Sequence, residues 1–375
     1  MKSITVARGL PGIILLLGNA LTAFAQPAAS APPQAEQKRA GIEIVSRLAA
    51  PVPARPFEAK KLAGYVMVYF KDETHSAYLA ISRDGYTFTD INGGEPVFDG
   101  VALAEQKGVR DPHLTRGPDG AFYLAMTDLH IAGQRAGFRD TAWQRPQEKY
   151  GWGNNRALVL MKSWDLVHWT HSDFRVDLAF PELGDIDCSW APETTYDPAA
   201  GKMVVYFTIR YANKDANIFW AHADDAFTKL VTTPKKIPEI GGIDADLTFV
   251  NGKWHIFYVG GAKIRYGSSD RFADGYTVVP QRIDPETVST EAPNLFKRLG
   301  TDTYVLMYDV YGARPNNMGF SETTDFITYK NLGHFNEGVM KGTNFVRPKH
   351  GAVTYLTLAE LKAAAAHWHV NLPLD

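Results

Sequence analysis

Residues 252–259, Gly-Lys-Trp-His-Ile-Phe-Tyr-Val, show the pattern that decides the fold: a glycine followed by a short run of aromatic and branched apolar side chains. A run of this length, bounded by turn residues, is typical of a buried β-strand. Each copy of the pattern is followed by a second apolar strand and a polar turn. The other copies lie at residues 64–70, 120–128, 201–208 and 300–309.

The spacing of these copies predicts a repeat architecture. The intervals between their glycines are 56, 81, 51 and 48 residues. Repeats of about 40–50 residues built from short strands are the signature of a β-propeller with four strands per blade. We therefore expect an all-β, five-bladed β-propeller. Helical periodicity is nearly absent until residues 358–368, which predict one short C-terminal helix.

One interval is about 30 residues too long for a blade of the usual size. The surplus is residues 130–156, which contain Phe138, Trp143, Tyr150 and Trp152. Insertions in repeat arrays form loops on one face, which is often the binding face. We expect this loop to form a wall of a ligand site. A solvated excursion without function is the alternative.

The N-terminal residues predict an export signal. Lys2 and Arg8 precede an apolar run at residues 10–17, and Ala23-Phe24-Ala25 forms a typical cleavage site. An uncleaved anchor is the alternative reading of residues 1–25. The Pro-, Ala- and Gln-rich residues 26–40 predict a disordered tether, which leaves residues 41–375 as the folded domain. We expect a secreted or periplasmic bacterial protein whose mature form does not insert into a membrane.

Composition excludes several classes of function. The 375 residues carry a formal net charge of −2, which gives no electrostatic footprint for a nucleic-acid partner. The single cysteine, Cys188, cannot form an internal disulfide or a multi-thiolate metal site. The chain has 8 Trp, 17 Tyr and 20 Phe, and we assign most of them to packing between blades.

An acidic residue precedes each of the last four glycines by eight or nine residues. Each acid should begin the innermost strand of its blade, so the four carboxylates should converge on one end of the central channel. The first blade offers no such acid. An apolar strand at residues 350–357 predicts that the C-terminal strand closes this blade against residues 64–70, with His350 in the fifth place. The four acids are Asp111, Glu193, Asp244 and Glu291.

Converging carboxylates point to chemistry or to a cation, because they repel one another and shift each other's pKa values apart. Glycoside hydrolysis needs such a pair: one carboxylic acid protonates the leaving oxygen, and one carboxylate activates water or attacks. Aromatic side chains offer flat apolar platforms for sugars. A single Asp-Pro or Glu-Ala-Pro would be ordinary turn chemistry, but four acids in similar places favour a site.

Over residues 60–357 the sequence resembles glycoside hydrolase family 43, the inverting five-bladed propeller enzymes. Val109-Arg-Asp-Pro-His113 is similar to the family segment that carries the general base, which implies this role for Asp111. Ile243-Asp-Ala-Asp246 is similar to an Ile-Asp-Pro-Asp segment, and the resemblance implies that Asp244 orients the general acid and helps to keep it protonated. Glu291-Ala-Pro293 is similar to the Glu-Gly-Pro segment of the general acid.

The resemblance also suggests residues that bind substrate. Trp190-Ala-Pro-Glu193 is similar to a segment that walls the sugar site. Family members often hold a calcium ion or a water near the axis through a histidine, and His350 is the matching candidate for such a structural metal. A histidine hydrogen-bonded inside the channel is the alternative. The chemistry itself should need no cofactor. The candidate substrate-binding residues are Arg110, His113, Trp152, Asn155, Trp190, Glu193 and Arg314.

The sequence therefore predicts a secreted, inverting glycoside hydrolase that acts on oligosaccharides or on side chains of plant-type polysaccharides. The single long loop suggests a pocket, so we expect an exo-acting α-L-arabinofuranosidase or a related furanosidase, with a β-xylosidase as the alternative. Fructan-type five-bladed hydrolases also contain Arg-Asp-Pro, but they are retaining and need an N-terminal Asn-Asp-Pro-Asn-Gly segment that this sequence lacks. A non-catalytic sugar-binding propeller would not need both acids.

Overall fold

The glycine-led runs form the second strand of each of five antiparallel sheets. The computed structural model describes residues 41–48, 61–138, 145–212 and 214–372, which lie within the compact unit Arg39–Asp375. The predicted signal peptide and tether, and Trp143 of the long loop, fall outside the described residues. The five sheets are blades, so the predicted all-β five-bladed propeller is confirmed.

Each blade has four antiparallel strands, and two blades gain a short parallel strand at the outer edge. Strands β1 and β21 supply these additions to blades II and I, respectively. In chain order the strands are β1 (Glu43–Ile44); β2 (Leu62–Lys71), β3 (Ser76–Ser82) and β4 (Thr87–Asp90) of blade I; β5 (Val109–Arg116), β6 (Phe122–Asp128), β7 (Ala157–Ser163) and β8 (His168–Arg175) of blade II; β9 (Ile186–Asp197), β10 (Lys202–Tyr211), β11 (Asn217–His222) and β12 (Lys235–Gly241) of blade III; β13 (Ile243–Val250), β14 (Lys253–Val259), β15 (Ile264–Ser269) and β16 (Thr277–Val279) of blade IV; β17 (Glu291–Lys297), β18 (Tyr304–Val310), β19 (Asn317–Thr323) and β20 (Lys330–His334) of blade V; and β21 (Lys341–Gly342) and β22 (Lys349–Thr357).

The C-terminal strand closes the ring. Strand β22 pairs antiparallel with β2, with Val353 opposite Met67, so it becomes the innermost strand of blade I. The predicted contact between residues 350–357 and 64–70 is confirmed. Because the last strand completes the first full blade, blade I contains both an early and a late segment of the chain, and this pairing closes the ring.

One helix of more than a single turn follows the closing strand in the described part of the chain. Helix α4 (Leu358–His367) begins with a capping box, in which Thr357 and Glu360 satisfy each other's backbone N–H groups. Leu361 anchors it in the buried core of blades I and II. The described helices are all too short to cross a membrane. The others are α1 (Gly100–Leu103), α2 (Gln147–Tyr150) and α3 (Val176–Ala179).

Aromatic rings fill the spaces between blades, as the composition predicts. Tyr65 of blade I packs edge-on against Phe296 of blade V, with ring centroids 6.0 Å apart. Tyr123 of blade II meets Phe227, which follows the third strand of blade III, at 5.1 Å. Such edge-to-face contacts add to the hydrophobic gain of burying large rings. The tyrosines and phenylalanines of the second strands thus hold neighbouring blades together.

A β-bulge interrupts the innermost strand of every blade at the same register. Two residues of the inner strand lie opposite a single residue of the second strand. The first residue of each bulge has a positive φ, which is uncommon for residues other than glycine. A bulge that recurs in all five blades is a built feature of the fold. These residues and their φ values are Asp111 (49°), Ala191 (43°), Asp244 (48°), Ala292 (55°) and His350 (30°).

Candidate active site

The bulges sort the channel residues into three rings. The residue before each bulge belongs to the rim ring, the first bulge residue to the middle ring, and the residue two positions later to the deep ring. The rim ring is Lys349, Arg110, Trp190, Ile243 and Glu291; the middle ring is His350, Asp111, Ala191, Asp244 and Ala292; the deep ring is Ala352, His113, Glu193, Asp246 and Asn294.

A cavity of about 500 Å³ opens at the rim end of the channel. All five rim residues line it, and so do Asp111, Asp244 and His350 of the middle ring, but no deep-ring residue does. Adjacent residues of one strand normally face opposite sides, so the bulge is what lets both rings face the cavity. The remaining lining residues are Asp72, His75, Leu129, Ile131, Ala132, Trp152 and Tyr311.

The structure brings Asp111, Asp244 and Glu291 together, but their strand positions are not all equivalent. Asp111, Asp244 and His350 are true equivalents in the middle ring. Glu291 lies one residue earlier and Glu193 two residues later, so the prediction of equivalent positions is wrong for these two acids. The turns between first and second strands differ in length, and counting residues back from the glycines could not detect that difference.

Asp111 is held as a carboxylate. Its Oδ2 accepts a hydrogen bond of 2.9 Å from the Thr127 hydroxyl, and its Oδ1 lies 3.4 Å from His350 Nδ1. Burial alone would raise the pKa of Asp111. The hydrogen bond and the charge of His350 lower it by more, so the net pKa is well below the usual range. Asp111 is therefore ionised at neutral pH and able to accept a proton.

His350 is the cationic partner of Asp111. Burial alone would lower the pKa of His350. The carboxylates of Asp111 and Glu193 raise it by more, so the net pKa lies well above the ordinary value. Its Nε2 lies 3.9 Å from Glu193 Oε1, beyond hydrogen-bond distance. Its backbone N–H donates to Asp309 Oδ1 at 2.9 Å. The histidine thus links three blades at the centre of the channel.

Two buried carboxyls beside Glu291 retain protons more readily than ordinary acids. Burial raises the pKa of Asp244 to about 7, with Glu291 and Asp111 adding to the rise and His350 opposing it. Burial likewise raises the pKa of Asp309 to about 7. Asp309 lies opposite Glu291 in the β17–β18 ladder, and Asp244 Oδ2 accepts the N–H of Ala292, the residue after Glu291, at 3.3 Å. The carboxyls of Asp244 and Asp309 are therefore partly protonated near neutral pH.

A chain of alternating charges runs along the rim. Lys349 Nζ lies 3.4 Å from Glu291 Oε1 and 3.4 Å from Asp72 Oδ2, and Asp72 Oδ1 lies 2.7 Å from Arg110 Nη1. Burial lowers the pKa of Lys349, but Asp309, Glu291 and Asp72 raise it more, so the ammonium stays charged. Arg110 lines the cavity and forms its ion pair with Asp72, and its contact with substrate stays a prediction.

Sequence reasoning missed several lining residues. Lys349 directly precedes His350, so extending the alignment of inner strands by one residue could have found it. Asp72, His75 and Tyr311 lie in turns after second strands, where no pattern in a single sequence marks them. Asp309 carried a usable signal, because it is an acid inside the otherwise apolar strand β18.

Deep-ring side chains connect one blade to the next. The N–H groups of the neighbouring inner strand donate to them, which accounts for buried polar groups in this layer. The predicted sugar contact of His113 and Glu193 is not supported by this placement, since both are buried below the cavity. Asp246 likewise does not line the cavity. The bonds from the next blade are Thr194 N–H to His113 Nδ1 (3.1 Å), Leu295 N–H to Asp246 Oδ2 (2.8 Å) and Val353 N–H to Asn294 Oδ1 (3.0 Å). Glu193 Oε2 instead accepts from Tyr206 O–H of its own blade (3.1 Å).

Calcium prefers about six to eight oxygen ligands. In the described part of the chain, His113, Glu193 and Asp246 are the group whose ligand-type atoms lie within 4.8 Å of one another. Because Thr194 N–H donates to His113 Nδ1, the ring proton lies on Nε2, the atom facing the two carboxylates. In this tautomer neither ring nitrogen of His113 has a free lone pair for a metal, and its Nε2 lies 3.6 Å from Glu193 Oε2 and 4.0 Å from Asp246 Oδ1. A calcium ion at His350 stays a prediction.

Two tryptophans line one side of the cavity, and their contact with a sugar stays a prediction. The rings of Trp152 and Trp190 meet edge to face at 6.0 Å, and Trp190 Nε1 donates to the Gly153 carbonyl at 2.7 Å. A Cβ at Gly153, where φ is +66°, would lie only 3.1 Å from the Trp190 ring. The guanidinium of Arg210, on β10, stacks 4.5 Å from the Trp190 ring centre and donates to the Trp152 carbonyl at 2.9 Å.

Two predicted substrate-binding residues lie away from the cavity. Asn155 is 1% exposed, and it accepts from Ser189 N–H and donates to the Ser189 carbonyl, which fixes the end of the long loop to β9. Arg314 is exposed and donates to the carbonyls of Tyr311 and Ala313 in its own turn. In that turn Tyr311 supplies the cavity wall instead.

The deep ring should give the stability of the protein a recognisable pH dependence. Burial raises the pKa of Asp246 to about 7, so its contribution is full below about pH 4 and is lost as the pH rises through 7. Asp246→Asn has no proton to lose. In urea unfolding from pH 4 to 8, wild type should lose stability relative to Asp246→Asn, and the exposed control Asp302→Asn should follow wild type. Parallel curves for wild type and Asp246→Asn would show that Asp246 is ionised in the folded protein.

A family model that covers most of the chain identifies its family. The family model for glycosyl hydrolase 43-related proteins, described as "Probable glycosyl hydrolase domain", matches residues 60–362. An α-L-arabinofuranosidase of Bifidobacterium longum subsp. longum is 26% identical over 162 residues, which are 40% of this chain. The match spans only 14% of the length of that relative.

Solved structures that match part of the chain include family 43 enzymes. The GH43_1 enzyme from Xanthomonas citri has a TM-score of 0.46 and 14% identity, over 60% of this chain and 74% of that one. CoXyl43, a GH43 β-xylosidase/α-arabinofuranosidase from a compost microbial metagenome, has a TM-score of 0.45 and 16% identity, over 60% of this chain and 77% of that one.

Proposed function

This chain belongs to the glycosyl hydrolase 43-related family and is a glycoside hydrolase, and from that premise we propose that it releases terminal α-L-arabinofuranosyl units with inversion. One observation carries the proposal: the ionised carboxylate of Asp111 and the carboxyl of Glu291 line one cavity from different blades. Inverting hydrolysis needs two carboxyl groups on opposite sides of a sugar ring, with room for a water between one of them and the anomeric carbon.

In the proposed step, Asp111 acts as the general base. It removes a proton from a water as the water oxygen forms a bond to the anomeric carbon. His350 and Thr127 hold the carboxylate in place and keep it ionised before the reaction. A base that is anionic at rest needs no prior deprotonation, which suits hydrolysis near neutral pH.

Glu291 acts as the general acid. It transfers its proton to the glycosidic oxygen as the bond from that oxygen to the anomeric carbon breaks. The free sugar leaves with the water oxygen, and solvent returns the proton from Asp111 to Glu291. Asp244 positions the acid, because it binds the N–H of Ala292 and presents a partly protonated carboxyl beside it. Lys349 places a positive charge beside Glu291, and Asp309 places a buried carboxyl opposite it.

The substrate proposal is supported by the shape of the site. The wall of Trp152 and Trp190 stands over one side of the cavity, which suits the end of a chain better than an open cleft would. The Bifidobacterium relative is named an α-L-arabinofuranosidase. The proposed secretion or periplasmic location is supported by the export-signal pattern of residues 1–25. No cofactor takes part in the proposed step.

A panel of nitrophenyl glycosides tests the substrate class. We expect the highest kcat/KM on the α-L-arabinofuranoside among α-L-arabinofuranoside, β-D-galactofuranoside and β-D-xyloside, because exo-action on a furanosyl end is proposed. The measurement is the initial rate of nitrophenol release. A higher kcat/KM on the β-D-xyloside would assign the site to a xylosidase instead.

Glu291→Gln tests the acid. Amides cannot donate the proton that a poor leaving group needs, so kcat on an arabino-oligosaccharide should fall by about 10²–10⁴-fold. The dinitrophenolate released from a dinitrophenyl glycoside needs no protonation to leave. The kcat of Glu291→Gln on that substrate should therefore fall much less. Steady-state rates on both substrates measure the difference.

The matched control is Glu239→Gln, a glutamate whose side chain is exposed on β12, the outermost strand of blade III. It should retain wild-type rates on both substrates. Equal losses on both substrates in Glu291→Gln would mean that Glu291 does not act as the acid.

A further inference from the structure

One arginine behind the cavity contacts both tryptophans that line its side. Arg210, near the end of β10, places its guanidinium 4.5 Å from the centre of the Trp190 ring and donates to the Trp152 carbonyl at 2.9 Å. The Arg210 side chain is 11% exposed and is not part of the cavity lining. Arg210 therefore acts on a molecule in the cavity only through the two rings.

The guanidinium joins separate segments of the chain. It pairs with Asp187, a fully buried carboxylate on β9, at 3.0 Å, and it donates to the carbonyls of Tyr150 and Trp152, both at 2.9 Å. Trp190 lies on the same strand as Asp187, whereas Tyr150 and Trp152 belong to the long insertion of blade II. A planar group with five N–H donors can make all of these contacts at once, but the compact ammonium of a lysine cannot.

The orientation of Trp152 depends on its backbone, because its side chain is 52% exposed. An exposed ring that is held by little packing has several rotamers open to it. Hydrogen bonds restrain the backbone on both sides of this ring: Arg210 binds the Trp152 carbonyl, and Trp190 Nε1 binds the Gly153 carbonyl at 2.7 Å. Two rings that are ordered in advance lose less conformational entropy when a ligand binds.

We propose that Arg210 is a positioning residue for substrate binding: it fixes the rings of Trp152 and Trp190 relative to each other, and so sets the affinity of the cavity for the sugar that is released. The proposal rests on the proposed function, because the two rings contact a sugar only if the cavity holds one. Arg210 acts on binding and not on proton transfer, since Asp111 and Glu291 enter the cavity from other blades.

Arg210→Lys tests the effect on binding. The lysine keeps a positive charge beside the buried Asp187, so the fold should persist, but it lacks the planar face and the fork of donors. On the nitrophenyl α-L-arabinofuranoside we expect KM to rise about tenfold and kcat to stay within about twofold of wild type, because a contact made equally to bound substrate and transition state is weakened. The matched control is Arg271→Lys, which should retain both constants. Arg271 is exposed in the turn after β15 and pairs with Asp274.

Circular dichroism tests the positioning without catalysis. The rings of Trp152 and Trp190 meet at 6.0 Å and 66°, and indoles this close give an exciton signal that depends on their distance and angle. Trp152→Phe identifies this signal as the part of the wild-type spectrum that it removes. Arg210→Lys should lose most of the same signal, and Arg271→Lys should retain it.

Gly153→Ala disturbs the same two rings with Arg210 in place. The added Cβ would lie 3.1 Å from the Trp190 ring, at a position where φ is +66°. This variant should also raise KM and weaken the exciton signal. If Arg210→Lys does not fold, a wild-type KM and exciton signal in Gly153→Ala would overturn the proposal.

An unchanged KM or an unchanged exciton signal in Arg210→Lys would overturn the role of Arg210 and leave the proposed function standing. A fall in kcat at constant KM would do the same, because it would show a loss of active protein and not of binding. A wild type that hydrolyses no glycoside of the panel would overturn the proposed function and, with it, the role of Arg210 in sugar binding. The exciton signal would then still decide whether Arg210 positions the two rings.

Discussion

The bulge in each innermost strand is the constraint on which the site depends. Each bulge turns a backbone N–H away from its own ladder, and a buried N–H needs an acceptor. In four of the blades a side chain of the preceding blade accepts it, so the strained residue also joins two blades. These bonds are Ala191 N–H to Thr127 Oγ1 (2.9 Å), Asp244 N–H to Thr208 Oγ1 (3.3 Å), Ala292 N–H to Asp244 Oδ2 (3.3 Å) and His350 N–H to Asp309 Oδ1 (2.9 Å).

The same geometry sets the charges. Because two consecutive positions of the inner strands of blades I, II and IV face the cavity, charged side chains from blades I, II, IV and V meet within one small volume. The hydrogen bond and charge of His350 keep Asp111 ionised. Burial raises the pKa of Asp244 and of Asp309 to about 7, so these two acids retain protons up to about that pH. Chemically similar side chains thus differ in protonation through their surroundings. Hydrolysis by two carboxyl groups needs surroundings of this kind, in which one carboxylate stays ionised beside groups that retain protons.

The fold could be predicted from the sequence because its signals are local and repeated. The glycine-led strands set the number of blades, and the apolar strand at residues 350–357 indicated how the ring closes. The candidate acids Asp111, Asp244 and Glu291 followed from the same repeat. The ring to which each belongs did not follow, since a bulge and variable turns shift the register. Arg210 and Asp72 were missed because their partners lie far away in the chain.

The central claim is that Asp111 and Glu291 hydrolyse a glycosidic bond with water in a single displacement. Proton NMR of the sugar released in the first minutes tests this most directly, before mutarotation mixes the anomers. With an α-L-arabinofuranoside as substrate, the account predicts that β-L-arabinofuranose appears first and the α anomer follows later. Initial release of the α anomer would contradict it, because retention requires a covalent intermediate and a nucleophile where the account places a base.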